Sequence, residues 1–256
     1  MRLRIATWNL NTWINKTRKK ILNEQLWAWA LNNIPSDVYI FTEAQTPPPE
    51  RVTRAGWSAV HRPGGFPNVS GWGTLIAVAP DSGLQLQHLT HLEGPKPYAL
   101  DSHFPGSLTA ARLRAGDRDI AIVVGLYLPY RKDEQKRFIG HPSYDLSLIR
   151  ADIDAIVATS DAPLIVAGDL NYDYADVPSS LDLLGSQSVQ LVDPFTKQNP
   201  LTFQQDWAPR RRFKLDYIYL SRSLASTVIG QRGGVDDFPT AFTVSDHAPL
   251  HLTLKL

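Results

Sequence analysis

The 256-residue chain contains no cysteine, and this absence excludes several classes of protein. Without thiols there is no disulfide framework, no zinc ribbon and no cysteine nucleophile. An excess of one charge is also missing, because 26 basic and 25 acidic residues leave a formal net charge of +1. The chain therefore has no overall basic field, and any binding to a polyanion must come from local patches.

Long apolar runs are missing as well. No stretch approaches the roughly 20 apolar residues that span a bilayer, and the opening MRLRIATWNL has no apolar signal core. We therefore expect a soluble, cytoplasmic protein with no membrane anchor, and we separately expect a monomer. Hydrophobic residues make up 43% of the sequence, which is ordinary for a folded core. No linker or repeat interrupts it, so we expect one domain over residues 1–256.

The sequence does contain a series of short apolar runs that are typical of strands. They cover residues 3–8, 37–41, 73–79, 109–115, 119–128, 162–168, 213–220 and 251–256. Several are continuously apolar and rich in Val and Ile, as in strands covered on both faces. Apolar residues at helical spacing over 17–33 and 143–158 predict two crossover helices. Together these patterns predict an α/β sandwich of two sheets with helices outside.

Polar residues at the ends of these runs are the candidates for chemistry, because ligands of α/β sheets gather at strand ends. The candidates at or beside these ends are Asn9, Asn11, Glu43, Tyr127, Asp169, Asn171, Asp246 and His247, and Asp216 lies near the middle of its run. Taken singly, most have a structural explanation, such as turn chemistry for Asn9 or Asp169. Asp216 differs, because apolar neighbours surround it and a buried carboxylate needs a partner. Their recurrence at successive strand ends predicts one composite site.

The stretch SDHAPL, residues 245–250, is open to four interpretations: a serine-hydrolase triad, a metal site, a phosphate site or an ordinary turn. Neighbouring residues of an extended chain point to opposite faces, so Ser245, Asp246 and His247 cannot form a relay among themselves. No GxSxG elbow supplies another serine. These two points exclude the serine-hydrolase interpretation and leave the metal site, the phosphate site and the ordinary turn open, with Ser245 expected in the turn.

Six segments resemble, in order, the motifs of the endonuclease/exonuclease/phosphatase superfamily, which includes deoxyribonuclease I and exonuclease III. They are WNLN (8–11), Glu43 after its strand, LYLP (126–129), GDLN (168–171), LDYIYLS (215–221) and SDHAP (245–249). The resemblance spans nearly the whole chain. It implies a four-layer α/β sandwich, with two packed mixed β-sheets and helices on the outside. It also implies hydrolysis of a phosphate ester with Mg²⁺ or Mn²⁺.

The resemblance further implies which residues would hold the metal. Glu43 is the first candidate ligand, with Asp246 and Asn11 beside it and Asn9 close by. Mg²⁺ prefers hard oxygen ligands of this kind. Asn11 stands where exonuclease III-type enzymes often have aspartate, so it supplies no charge.

The remaining motif residues would handle the water and the phosphate. By resemblance, Asp169 deprotonates the attacking water and Asn171 holds the water or the phosphate. His247 contacts the scissile phosphate, and Asp216 fixes its ring and favours the imidazolium. Tyr127 matches a position that also meets the phosphate.

The substrate is less clearly indicated. Arg210, Arg211 and Arg212 precede LDYIYLS and could contact a nucleic-acid backbone or form a solvated loop. Arg112 is a looser match for added charge, and Trp207 could stack on a base or pack in the core. We expect a nuclease acting on DNA. A phosphatase or phosphodiesterase for a small or lipid-linked phosphate, and a non-catalytic binding protein with this fold, stay open.

Overall fold

The computed structural model describes residues 1–12, 23–63, 72–92, 98–100, 106–128, 143–171, 190–205 and 208–256. Its strands are β1 (Arg2–Asn9), β2 (Val38–Gln45), β3 (Ser58–Pro63), β4 (Trp72–Val78), β5 (Leu84–Leu89), β6 (His91–Leu92), β7 (Tyr98–Ala99), β8 (Leu108–Ala115), β9 (Arg118–Tyr127), β10 (Leu164–Asp169), β11 (Leu191–Val192), β12 (Phe203–Gln205), β13 (Ala208–Phe213), β14 (Asp216–Ser221), β15 (Val228–Gly233) and β16 (Leu250–Lys255).

The helices are α1 (Asn23–Asn33), α2 (Glu50–Arg54), α3 (Ser143–Thr159), α4 (Arg222–Ala225) and α5 (Gly234–Asp237), with 3₁₀ turns at Pro80–Ser82 and Pro239–Thr243. In these described segments no helix is both long enough and apolar enough to cross a membrane. The helix predicted over 143–158 corresponds to α3. Of the helix predicted over 17–33, the part from Asn23 onward is α1, and residues 13–22 lie outside the described residues.

Two six-stranded mixed sheets form the centre of the molecule. Sheet A has the order β15-β16-β1-β2-β4-β3, and sheet B has the order β11-β14-β10-β9-β8-β5. Each sheet has one parallel pair at its centre, β1–β2 in sheet A and β9–β10 in sheet B. The chain joins each pair through a segment that contains α1 or α3, as a parallel connection requires. Both predicted crossovers are therefore confirmed.

Alternation along the strands builds the layers, because successive side chains of a strand point to opposite faces. The core between the sheets includes Leu3, Ile5, Val38 and Ile40 of sheet A and Val123, Ile165, Ala167 and Ile218 of sheet B. The intervening residues face outward: those of sheet A pack with Leu26 and Trp27 of α1, and those of sheet B pack with Ile153 and Ile156 of α3. Burial of each large apolar side chain contributes about 1.5–3 kcal/mol. The predicted four-layer α/β sandwich is confirmed.

The strand predicted over 213–220 is wrong, because it is divided in two. The run 213–220 forms two elements, because β13 ends at Phe213 and β14 begins at Asp216. Between them, the Lys214 ammonium turns inward and pairs with Asp193 at 2.6 Å, with both side chains buried. The break matters for the site because it sets where β14 starts, and Asp216 is the first residue of that strand.

Candidate active site

The site begins where the apolar core between the sheets ends. Asn9 continues the inward row of Ile5 on β1, and Asp169 continues the inward row of Ala167 on β10. Alternation therefore directs both polar side chains into the space between the sheets. There the Asn9 Nδ2 donates to Asp169 Oδ2 at 2.7 Å. The alternation of side chains along β1 and β10 thus brings Asn9 and Asp169 together.

The same parity positions Tyr127 and Asp216 on either side of Asp169. Tyr127 ends β9 and is in register with Asp169, and Asp216 begins β14 and pairs with Asp169 from the other side. The side chains of Tyr127, Asp169 and Asp216 all point inward from sheet B, since Val123 and Ile218, which have the same parity on β9 and β14, lie in the core. Sheet B thus contributes three neighbouring polar groups at one edge of the core.

Glu43 reaches the site through an irregularity in β2. Regular alternation from Ile40 would direct Glu43 to the outer face, but the pairing with β4 shifts register between Phe41 and Ala44, and Glu43 has a φ of 46°. A left-handed residue other than glycine costs roughly 1–3 kcal/mol and is found where function requires it. The Asn9 Nδ2 donates to Glu43 Oε1 at 3.2 Å.

Two turns of the same kind hold the facing groups. Asn9 Oδ1 accepts the Asn11 amide at 2.8 Å, and Asp169 Oδ1 accepts the Asn171 amide at 2.8 Å. Asn11 and Asn171 have φ values of 45° and 52°, which asparagine tolerates better than most residues. Each side chain is thereby fixed through its Oδ1, which leaves the Asn9 Nδ2 and the Asp169 Oδ2 free to meet.

Asn171 supports Asp169. Its Nδ2 donates to the Leu128 carbonyl at 2.6 Å and to Asp169 Oδ2 at 3.2 Å. Both hydrogens of the side-chain amide are thus used within the protein. The role predicted for Asn171, holding the water or the phosphate, would fall to its carbonyl oxygen.

Gly168 is required by the approach of β10 to β9. It has a φ of 144°, and a Cβ added there would lie 1.9 Å from the Leu126 carbonyl oxygen. No side chain fits at that distance, so the glycine of GDLN serves the backbone that presents Asp169.

His247 faces the carboxylates from the loop before β16, with its side chain 6% exposed. Its Nδ1 lies 2.7 Å from Asp216 Oδ2, a hydrogen-bonding distance. Its Nε2 lies 3.9 Å from Asp169 Oδ2 and 4.0 Å from Asp246 Oδ1. The imidazole therefore has one nitrogen held by Asp216 and the other directed toward the centre of the site.

Two buried side chains outside the predicted set hold the His247 backbone. The Trp8 Nε1 donates to the His247 carbonyl at 2.8 Å. The Ser245 hydroxyl donates to the Asn9 carbonyl at 2.9 Å and accepts the His247 amide at 3.2 Å. Trp8 lay within the WNLN motif, and Ser245 was expected only in a turn. Both residues fasten the His247 loop to the end of β1.

The electrostatics favour an imidazolium beside a basic aspartate. Burial disfavours the charged form of His247, but the negative charges of Asp216, Asp169 and Asp246 outweigh it and raise its pKa to about 10. Burial also raises the pKa of Asp169 well above its usual value, with the charges of Asp216 and Glu43 adding to the effect and His247 and Asn9 opposing it. A raised pKa makes Asp169 a stronger base than an ordinary carboxylate.

Glu43 and Tyr127 form a hydrogen-bonded pair in which both pKa values are raised. Burial, followed by the negative charge of Asp246, raises the pKa of Glu43. Burial and the nearby carboxylates raise the pKa of Tyr127 well above its usual value, so its hydroxyl stays neutral and donates to Glu43. Glu43 and Asp246 are partly exposed, which leaves these two repelling carboxylates open to solvent.

These oxygens fit a hard divalent cation. Asp246 Oδ1 and Asn11 Oδ1 are buried and have no hydrogen-bond partner among the described residues. A cation beside Glu43 and Asp246 would relieve their repulsion, and Mg²⁺ is commonly held by one or two carboxylates together with water and substrate phosphate. In the described part of the chain, no group of three or more acidic or imidazole side chains is gathered closely enough to hold a metal alone. Amide oxygen, water and phosphate would complete the coordination.

Of the predicted substrate contacts, Arg212 is near the site. Its Nε donates to the side-chain oxygen Oε1 of Gln204 at 3.1 Å, and the backbone amide of Gln204 donates to the backbone carbonyl of Asp246 at 3.0 Å. The exposed Arg212 thus lies on a hairpin that is hydrogen-bonded to the His247 loop. Trp207 and the side chains of Arg210 and Arg211 lie outside the described residues.

Arg112 is not brought to the site. It pairs on β8 with Ile122, five residues before Tyr127, which corresponds to roughly 17 Å along the strand. Its guanidinium forms an ion pair with Asp119 and lies within 3.5 Å of the Ser160 hydroxyl. These partners occupy Arg112 at the opposite end of sheet B, so the geometry gives no support to a substrate contact.

The chain belongs to the Endonuclease/Exonuclease/phosphatase family, whose sequence model matches residues 6–247. None of the curated proteins compared with it matches significantly in sequence. Solved structures with the same fold include the 3′ phosphatase NExo from Neisseria, bound to a product DNA hairpin (TM-score 0.68, 16% identity, covering 99% of this chain and 100% of that chain). They also include an AP endonuclease from Archaeoglobus fulgidus (TM-score 0.68, 17% identity, covering 99% of this chain and 100% of that chain). A truncated TDP2 from Caenorhabditis elegans is similar (TM-score 0.67, 13% identity, 100% and 98%).

Proposed function

We propose that this protein is a divalent-metal-dependent phosphodiesterase that acts on DNA. The observation that carries the proposal is the 3.9 Å separation of Asp169 Oδ2 and His247 Nε2, with the imidazole held by Asp216. One of these groups is a base and the other a cation. Phosphoester hydrolysis needs both, because a water must lose a proton while negative charge grows on the phosphate oxygens.

Asp169 is the proposed general base. Its Oδ2 would take the proton from the attacking water, and its raised pKa suits it to that step. The hydrogen bonds from Asn9 and Asn171 to the same oxygen fix the direction of the carboxylate. Positioning of this kind supplies much of the rate gain when two reacting groups must meet.

His247 is the proposed phosphate contact. As an imidazolium it would donate from Nε2 to a non-bridging phosphate oxygen while Asp216 holds Nδ1. Tyr127 is the proposed second donor to the phosphate, a role that requires its hydroxyl to turn from Glu43 to the substrate. Both donors are protonated at neutral pH, so neither has to take up a proton before each turnover.

Glu43, Asp246 and Asn11 are the proposed holders of Mg²⁺ or Mn²⁺, because Asp246 Oδ1 and Asn11 Oδ1 have no hydrogen-bond partner among the described residues and the charge of Asp246 raises the pKa of Glu43. A bound cation would neutralise phosphate charge and stabilise the leaving oxygen. Asn9 links this side of the site to the base, since its Nδ2 donates to both Glu43 and Asp169.

DNA is the substrate favoured by two observations. The solved structures of similar fold include a 3′ phosphatase bound to a product DNA hairpin and an AP endonuclease. Arg212 is exposed on the hairpin beside the His247 loop, where a cation can contact a DNA phosphate. The choice between endonuclease and exonuclease action, the monomeric state and the cytoplasmic location stay predictions.

A substrate panel with Mg²⁺, Mn²⁺ or EDTA tests the proposal. The panel comprises intact duplex DNA, duplex with one abasic site, DNA with a 3′-phosphate, RNA, an inositol phosphate and a lipid phosphodiester. We expect metal-dependent, EDTA-sensitive hydrolysis that is fastest with the intact or the abasic duplex, whereas fastest release of the 3′-phosphate would make the protein a DNA phosphatase. Turnover confined to the inositol or lipid ester would favour the small-phosphate alternative. No turnover of any substrate, with DNA binding retained, would favour a non-catalytic binding protein.

A further inference from the structure

We propose that Thr202 is a positioning residue that sets the distance between Asp216 and His247. The consequence for catalysis rests on the proposed function, whereas the positioning itself does not. Thr202 is fully buried and immediately precedes β12. It belongs to none of the six motifs, and its contacts join the two segments that carry the pair.

The Thr202 hydroxyl holds the start of β14. Its Oγ1 accepts two backbone amides at 3.0 Å each, those of Leu215 and Asp216. These amides lie at the break between β13 and β14, so the hydroxyl oxygen fixes the backbone from which the Asp216 side chain projects. Two donors converging on one buried oxygen permit little rotation or slippage there.

The Thr202 backbone holds the His247 loop at the same time. Its carbonyl accepts the Ala248 amide at 2.6 Å, one residue beyond His247, and its amide donates to the Phe213 carbonyl at 2.9 Å. The next residue, Phe203, forms a β-bridge with His247, with the two rings 4.9 Å apart. A single residue therefore touches both sides of a pair whose members are 31 residues apart in sequence.

The Asp216 carboxylate depends on this support. Its Oδ2 meets His247 Nδ1 at 2.7 Å, and its Oδ1 is buried with no hydrogen-bond partner among the residues that the structure describes. No side-chain donor other than His247 is seen to orient the carboxylate in that part of the chain. Its direction is therefore governed by the backbone position that the Thr202 hydroxyl fixes.

The test compares Thr202→Val, which removes the hydroxyl at nearly constant shape, with Thr202→Ser, which retains it. Thr109→Val is the matched control, because Thr109 is equally buried and its hydroxyl donates to the Thr74 carbonyl at 2.9 Å. Thr202→Ala replaces the valine variant if that variant does not fold. All variants are made in the full chain.

The first readout is NMR and does not depend on activity. In the wild type and in Thr202→Ser, we expect slow amide exchange at Leu215 and Asp216 and a far-downfield proton resonance for His247 Nδ1–H, identified by its loss in His247→Gln. Thr202→Val should speed exchange of both amides about tenfold or more and shift or broaden the histidine resonance. Thr109→Val should leave both unchanged. An unaltered resonance in Thr202→Val, or its loss in Thr202→Ser, would overturn the proposal.

The second readout is a double-mutant cycle on turnover. Thr202→Val should lower kcat by about 10-fold to 100-fold with little change in KM. In an Asp216→Asn background it should add almost nothing, because the interaction that it orients is already gone. An equal loss in both backgrounds would contradict positioning through Asp216. A wild-type protein without turnover would defeat the proposed function, and the NMR readout would still decide the role of Thr202.

Discussion

The turns at residues 9–11 and 169–171 have the same design and face each other across the sandwich, yet one begins with an amide and the other with an acid. In each, the first side chain accepts the amide two residues later at 2.8 Å. Asn9 and Asp169 differ only in that asparagine carries an NH₂ group where aspartate carries an oxygen. Asn9 can therefore orient its neighbours by donating hydrogen bonds, whereas Asp169 is the proposed base. The amide supplies hydrogens to both Asp169 and Glu43, which allows two carboxylates to lie near one another.

The two turns also differ in how they are anchored. Before Asn9 stands Trp8, whose ring packs 4.8 Å from that of Trp29 and whose Nε1 holds the His247 loop. Before Asp169 stands Gly168, where the neighbouring strand leaves no room for a Cβ. One turn is held by a large side chain and the other by close contact of two backbones.

Replacing Asp169 by asparagine, which gives both turns an amide, should have the largest effect on turnover. Asp169→Asn keeps an oxygen for the Asn171 amide, so we expect the fold to survive. The base is lost, and turnover should fall about 1,000-fold. Rates measured beside circular dichroism and thermal melting check this result. A folded variant with a near-normal rate would remove Asp169 from the role of base.

Disturbing the anchor of the second turn should mainly reduce stability. Gly168→Ala would force a Cβ against Leu126, and we expect the free energy of unfolding to fall by about 4 kcal/mol or more. Gly83→Ala is the control, since Gly83 also has a positive φ of 68° but open space around it. That variant should lose only about 1–2 kcal/mol. Equal losses in urea titrations would show that backbone conformation, and not the contact with β9, explains the glycine.

The reverse exchange, Asn9→Asp, should place an acid in both turns. It removes the donor to Asp169 and Glu43 and adds a buried charge beside them, so we expect about 100-fold slower turnover and about 2 kcal/mol lower stability. The folded-state pKa of the new acid should lie above its unfolded value. The stability loss should therefore grow as pH rises from 5 to 8. Chemical denaturation at both pH values measures this, and a pH-independent loss would contradict the proposed repulsion.

A smaller effect should distinguish the two histidines of the same segment. Four residues from His247, His251 has its pKa lowered to about 4 by burial and by the charges of Arg232 and Arg4, which outweigh Asp37 and the Pro35 carbonyl. Its folded pKa lies below its unfolded value, so stability should fall as pH drops below about 6.5. Between pH 7 and 5 we expect His251 by itself to lower stability by roughly 1–2 kcal/mol, against the opposite effect of the site groups whose pKa values are raised.

His251→Gln should remove that contribution, so between pH 7 and 5 the stability of the variant should change by roughly 1–2 kcal/mol in its favour relative to the wild type. Urea titrations at the two pH values measure it, and His91→Gln, a change at an exposed position, is the control. Equal pH dependence in His251→Gln and in the wild type would show that other groups govern acid stability.

Much of the fold and part of the site follow from the sequence through one rule. Alternation predicts the strand faces, and it directs Asn9, Tyr127, Asp169 and Asp216 inward once their strands are assigned. Glu43 could not be derived this way, because it depends on a register shift and a positive φ that no residue pattern announces. The end of an apolar run and the resemblance both name Glu43 as a candidate, but neither predicts the direction of its side chain.

Thr202 shows a different limit of sequence-based prediction. Its partners are backbone groups of distant segments, which carry no residue-type signal. The sequence also fails to predict the break between β13 and β14, because the run FKLDYIYL gives no sign that Lys214 pairs with the distant Asp193. The alternation of side chains along a strand can be predicted from the sequence, whereas contacts between distant segments are known only from the folded structure.

The measurement that bears most directly on the central claim is the single-turnover rate of DNA phosphodiester hydrolysis, with excess enzyme and a duplex carrying one abasic site. We predict cleavage with Mg²⁺, its abolition by EDTA and its recovery when Mg²⁺ is restored. Asp169→Asn should bind the duplex with similar affinity and cleave it about 1,000-fold more slowly. Cleavage that persists in EDTA, or that proceeds at an unchanged rate in Asp169→Asn, would contradict the site described here.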